Sequence, residues 1–220
     1  TVSTSGAGTI EVHAGRVFNF GAALTMGDTE GDLFDADEYT IQTAGGDVTL
    51  TATNDIELDT VNAGSGTVIV TADSDTSGAG SIDDALTAET SNITAASTAL
   101  RAATGIGSAE DIDTTTSTIS AANSTSGNVQ LDNGNGTDLT SGTVDSLAGI
   151  TNDGGSILVN NLSGMLTVND AVSTAAGTGG SLSLSGSLEI NATVDAGQFD
   201  VTLNGNDNGD DDLVVNADLT

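Results

Sequence analysis

"GGDVTLTATNDIELDTVNAGSGTVIVTAD", residues 45–73, consists of short runs separated by Gly, Asn and Asp. Val48/Leu50, Ile56/Leu58 and Val68/Val70 place aliphatic residues two apart. That spacing marks a strand with one face buried and the other wet. No run is long enough to bury a core alone, so each strand must lean on others like it.

The pattern recurs. "GDVTLTA" (46–52), "GTVIVTA" (66–72), "GNVQLDN" (127–133), "GSILVNN" (155–161), "GSLSLSG" (180–186) and "FDVTLNG" (199–205) share it, and all but the last open on glycine. Weaker runs, Leu166/Val168 and Leu188/Ile190, lie between them, and "NITAAS" at 92 matches "TISAAN" at 118. Aligning Val48, Val68, Ile93, Ile119, Ile157, Leu182 and Val201 gives steps of 20, 25, 26, 38, 25 and 19, the long one containing an extra strand at 127–133. A period of roughly 19–28 residues with two or three short strands per turn predicts an all-β solenoid. At about 4.8 Å per layer, around nine layers would give a rod of roughly 45 Å. Glycines and the Asn-Gly pairs are expected at corners needing positive φ. The absence of proline suits a ladder in which nearly every N–H is paired.

The rival fold is a β-sandwich, which predicts tight hairpins and an aromatic-rich core. Many gaps here are longer, and only 2% of residues are aromatic. The best helical window, "STALRAATGIG" (97–107), is short and broken by glycine. Residues 1–42 stand apart, because Phe18, Phe20, Phe34 and Tyr39 fall there and only Phe199 lies elsewhere. We expect an atypical N-terminal coil or cap over 1–42 and solenoid coils over 43–220. The start at Thr1 and the strand-like end "DLVVNADLT" lead us to expect a segment of a longer protein.

The chain has 32 acidic residues against two basic ones, Arg16 and Arg101, for a net charge of −30. Nucleic acid and anionic lipid are therefore excluded as partners, since both require a basic surface. No stretch approaches the ~20 apolar residues of a membrane helix, so membrane insertion is not expected. With no cysteine, no disulfide holds the fold, which suits an exported bacterial protein. With no lysine, no Lys–Asn isopeptide bond can staple it.

At 99–133 ("ALRAATGIGSAEDIDTTTSTISAANSTSGNVQLDN"), 142–161 ("GTVDSLAGITNDGGSILVNN") and 45–58, the chain resembles the repeats of large bacterial exoproteins of the filamentous haemagglutinin type. The resemblance covers most of residues 43–204. It implies a right-handed parallel β-helix, export to the cell surface or medium, and a spacer or adhesive role. It carries over no ligand-binding residue.

Candidate chemistry is sparse. His13 is the one histidine and is expected to face outward, away from any nucleophile. A polysaccharide lyase or hydrolase on this fold would want aromatic sugar platforms and a basic residue, and the chain has one Tyr, no Trp and two arginines. Arg101 is expected to pair with outward acids. Outward Thr pairs such as Thr49/Thr51 do not recur in register turn after turn, and the Asn-x-Ser/Thr triplets are near what the composition dictates.

Acidic turns offer oxygen ligands of the kind calcium prefers. One such turn, "NGNDNGDDDL" (204–213), contains Asp207, Asp210, Asp211 and Asp212. The other, "GDTEGDLFDADE" (27–38), contains Asp28, Glu30 and Asp32.

The expectation is a non-catalytic structural or adhesive segment of a large bacterial surface or secreted protein. Its partners would be adjacent repeats or identical subunits stacked end to end, and cell-surface glycans or proteins. A calcium-dependent surface-layer or adhesion module is the alternative, and a polysaccharide-active enzyme the weaker third reading.

Overall fold

The structure is a computed structural model describing residues 39–86, 88–134, 136–205 and 213–217, and the backbone alone of 16–20 and 24–27. Among these residues there is no helix, and parallel strands stack as a β-solenoid of about eight turns. Every named strand pairing is parallel except one small hairpin, Thr143–Val144 with Leu147–Ala148. Facing sheets joined by tight hairpins, as in a sandwich, are not what this chain builds.

Val, Ile and Thr dominate the strands because branched side chains suit a pleated, half-buried surface. Their inward members form columns running up the interior. One column is Ile56, Ile82, Ile106, Val129, Ile157, Leu182 and Val201, with steps of 19 to 28 residues. A second is Leu50, Val70, Leu100, Ala121, Ile150, Val172 and Val194, with steps of 20 to 30. Nearly all these side chains are fully buried, and one continuous aliphatic core contains both columns. Each coil is too thin to exclude water alone, so its inward residues are buried by the coils above and below.

Three details differ from expectation. The seven aligned positions belong to different columns: Val48, Val68 and Ile119 share one, and Ile157, Leu182 and Val201 another. Ile93 lies in a third, stacked on Val61 and Thr114. Alternation shows that a residue faces inward but not which wall it faces from. Likewise Ser97–Ala102, not "NITAAS", stacks on Thr118–Asn123. The strand Val129–Asn133 is no extra element; it is its coil's ordinary rung between Ile106 and Ile157.

The strand-opening glycines also have a second cause. A Cβ on Gly155 would sit 2.1 Å from the Gly127 carbonyl oxygen of the coil below, and one on Gly66 would sit 2.5 Å from Gly46 O. At these corners consecutive coils approach too closely for any side chain, without a left-handed φ at either residue. The strands Arg16–Phe20 and Leu24–Gly27 stack in parallel on Tyr39–Thr43 and Val48–Thr51, so the described backbone of 1–42 continues the ladder.

Candidate functional site

Two walls of the column carry features beyond plain stacking. On one, the strands Ser97–Ala102 and Thr118–Asn123 are overlaid by the hairpin 143–148, whose tip residues Asp145 and Ser146 have positive φ (47° and 62°). Such a two-residue turn matches the twist of a hairpin. The hairpin covers the outward side chains of Ala99 and Ser120, both fully buried. Arg101 reaches up from the lower coil and clamps the tip. Its guanidinium lies 3.0 Å from the Asp145 carboxylate and donates to the Asp145 carbonyl at 2.6 Å. The expected pairing of Arg101 with an outward acid is present.

The other wall is acidic. Asp113 in Ile112–Thr115 stacks in register on Asp132 in Val129–Asn133, which stacks on Asn160. Like charges directly opposite on neighbouring strands are destabilising. Asn160 relieves one of them, its Nδ2 donating to Asp132 at 2.7 Å. Below, Asn92 fastens the loop entering Ile93–Thr94. Its Oδ1 accepts from Asp113 N at 2.8 Å, and its Nδ2 donates to the Leu58 carbonyl at 2.9 Å and to Asp84. Asp84 also accepts from Leu86 N at 2.7 Å.

Residues 88–92 bring Glu89 over this wall. One carboxylate oxygen from each of Glu89, Asp111 and Asp113 lies within 4.8 Å of the others. Asp113 is 9% exposed as a residue, and its carboxylate oxygens, which accept no hydrogen bond from the described residues, are left open to solvent. Asp59, buried to a similar degree, accepts from Tyr39 N at 2.6 Å and Thr60 Oγ1 at 3.0 Å.

The electrostatics follow. Burial, reinforced by Asp111, Glu89 and Asp84, pushes the Asp113 carboxyl up to about 6. Asp132 is also pushed up to about 6, by burial first and then by Asp111, against the opposing hydrogen bond from Asn160. Asp84 is raised by burial, opposed by its donors Leu86 and Asn92. In chemical terms this wall is a hard, all-oxygen, anionic surface.

Inside the column, polar residues stack in rows of amides. Asn123 Nδ2 donates to Asn152 Oδ1 at 2.9 Å and to the Ser126 carbonyl at 2.7 Å, while its Oδ1 accepts from Gly105 N at 2.9 Å. Asn133 likewise donates to Asn161 Oδ1 at 2.9 Å and accepts from Thr116 N at 3.0 Å. The second row stops at Asn161, whose buried Nδ2 has no partner among the described residues. The next coil offers Gly186 there, beside a shallow groove lined by Asn160, Leu162, Ser185 and Asn204.

All seven acids predicted as calcium ligands, Asp207, Asp210, Asp211, Asp212, Asp28, Glu30 and Asp32, lie outside the described residues, as does His13. Glu89, Asp111 and Asp113 were missed because the sequence was searched for contiguous acidic turns. In a solenoid the neighbours of a residue lie one coil away. The readable signal was "EDID" (110–113) followed about one period later by "LDN" (131–133). No helix among the described residues is long and apolar enough to cross a membrane. No family model, curated protein or solved structure matches the chain.

Proposed function

We propose that this chain is a non-catalytic structural and adhesive segment of a large bacterial surface or secreted protein, working as a stiff spacer or filament unit. The observation that carries this reading is the in-register parallel ladder, continuous in its pairings from Leu24–Gly27 to Val214–Val215. A column whose coils bind only their neighbours resists bending and is stabilised additively by each interface. The resemblance of residues 43–204 to filamentous-haemagglutinin-type repeats supports the same role and an extracellular address. Its partners would be adjacent coils or identical units stacked end to end, through unpaired strand edges, and cell-surface glycans or proteins.

The direct test is to pull the chain from both termini in an optical trap. A spacer should unravel coil by coil in several steps. A single rip at low force, with the full contour released at once, would sink the mechanical reading.

A further inference from the structure

We propose that the groove beside Gly186 binds an uncharged glycan carrying acetamido groups, with the buried amide of Asn161 donating to an acetamido carbonyl. The inference rests on the adhesive part of the proposed function and deepens it; the spacer part stands or falls separately.

The groove follows from a mismatch between corners. Asn160, Ser185 and Asn204 hold one register position in successive coils. Beyond it the lowest of these coils spends residues 161–164 before Met165, whereas the next turns through Gly186 alone before Ser187. That middle coil is recessed, and a groove of about 370 Å³ lies at the recess. Its size is within the range of small-molecule sites. The floor is the buried pair Asn161 and Gly186, and the rim is the more exposed Asn160, Leu162, Ser185 and Asn204.

The floor carries an unmet donor. Asn161 is 2% exposed, its Oδ1 accepts from Asn133 in the coil below at 2.9 Å, and its buried Nδ2 has no partner among the described residues. With Oδ1 turned down to Asn133, Nδ2 is turned towards the coil of Gly186, as Asn123 Nδ2 is turned up to Asn152. The chain cannot set its own amide there. Gly186 has a φ of 133°, and a Cβ on it would lie 3.0 Å from the Asn161 carbonyl oxygen. Buried donors in folded proteins are rarely left unanswered, and an unanswered one is costly.

The missing rung is an amide, and an acetamido group is its detached equivalent. Its carbonyl can accept from Asn161 Nδ2 while its N–H donates to an oxygen on the rim. Leu162, 56% exposed, offers an apolar contact to the acetamido methyl or to a sugar ring. No side chain lining the groove is charged, and the net charge of −30 repels acidic sugars. A peptide is the poorer fit, because Leu162 is the one large apolar side chain in the lining and peptides are held by pockets for several.

NMR of the isotope-labelled full chain titrated with chitotriose tests this. Maltotriose serves as the match without acetamido groups, and a capped Gly-Asn-Gly peptide as a protein-borne amide. Chitotriose should saturably shift the Asn161 side-chain signal and the Gly186 backbone signal, and maltotriose should move neither. Asn161→Ala should weaken chitotriose at least ~10-fold, the loss of one buried hydrogen bond. Asn204 is exposed, so Asn204→Ala leaves the fold intact even if Asn161→Ala does not, and it should weaken binding at least ~3-fold. No shift at Asn161 with any probe would overturn the proposal and leave water as the answer to that donor. A shift with the peptide alone would overturn the glycan assignment, and equal shifts with maltotriose would overturn the role of the acetamido group. Chitotriose binding that both variants leave unchanged would overturn the site while sparing the adhesive reading.

Discussion

Two kinds of polar row climb this molecule, and they behave in opposite ways. Inside, Asn123 stacks on Asn152 and Asn133 on Asn161; outside, Asp113 stacks on Asp132. An amide both donates and accepts, so each rung satisfies the next and the row is self-consistent. A carboxylate only accepts, so the same stacking sets charge against charge. The column thus tolerates polar residues inside when they are amides. Carboxylates it tolerates at the surface, where water, an asparagine or a cation can answer them.

The harshest way to break the contrast is to put a carboxylate into the inner row. Asn123→Asp keeps the shape but faces the Asn152 Oδ1 and the carbonyls of Ser126 and Gly127 with another acceptor. We expect a loss of about 3–5 kcal/mol, the cost of an uncompensated buried charge. Thermal melting should register it as a fall of roughly 10 °C. An unchanged melting point would mean the amide row is not closed as described.

A milder break separates the coils that the amides bridge. Gly127 O accepts from Asn152 Nδ2 at 3.1 Å, and a methyl on Gly155 would collide with that oxygen. Gly155→Ala should cost about 1–3 kcal/mol by overpacking. Denaturant unfolding checks it, and the same change at Gly205, where a Cβ meets nothing within 4 Å and φ is not left-handed, controls for loss of glycine as such.

The outer row yields a pH prediction for the metal-free protein. Asp113 and Asp132 have folded values pushed up to about 6, above the ordinary 3.8 of the unfolded chain. Between those limits the folded state binds more protons than the unfolded one, so stability falls as pH rises from about 4 to 6. The combined Asp113→Asn and Asp132→Asn variant should flatten this slope and gain about 0.2–1 kcal/mol at pH 7 from lost repulsion. Urea midpoints measured across that window in chelator test it; an equally steep slope in the variant would refute the assignment.

The smallest expected effect concerns the satisfied acid. Arg101→Ala removes the clamp on Asp145 at a partly exposed site and should cost less than ~1 kcal/mol overall. Proteolysis within 143–148 should nevertheless accelerate several-fold, because the hairpin loses its tether across coils. Equal cleavage rates would show that packing over Ala99 and Ser120 alone holds it down.

Much of the fold was readable because its signal is local: pairs such as Val68/Val70 and Leu182/Leu184 announce strands and their buried side. The absence of proline and the scarcity of aromatics argued for thin layers. Which inward residue sits on which was not readable, as Ile93 shows, because one coil presents several walls with the same alternation. Asn133 was harder still. Next to Gly134 it looks like a turn residue, yet its side chain points inward and bridges coils. The acidic wall was hidden for a related reason: Glu89 and Asp113 are 24 residues apart in the chain.

The hairpin at 143–148 interrupts the chain without disturbing the column: Ser141 and Ile150, on either side of it, still take their places beneath Val168 and Val172. Whatever is hung between two rungs is therefore invisible to the rungs themselves. Evolution can lengthen, trim or exchange such outward ornaments while leaving the trunk alone, so diversity in this kind of molecule should accumulate at its corners.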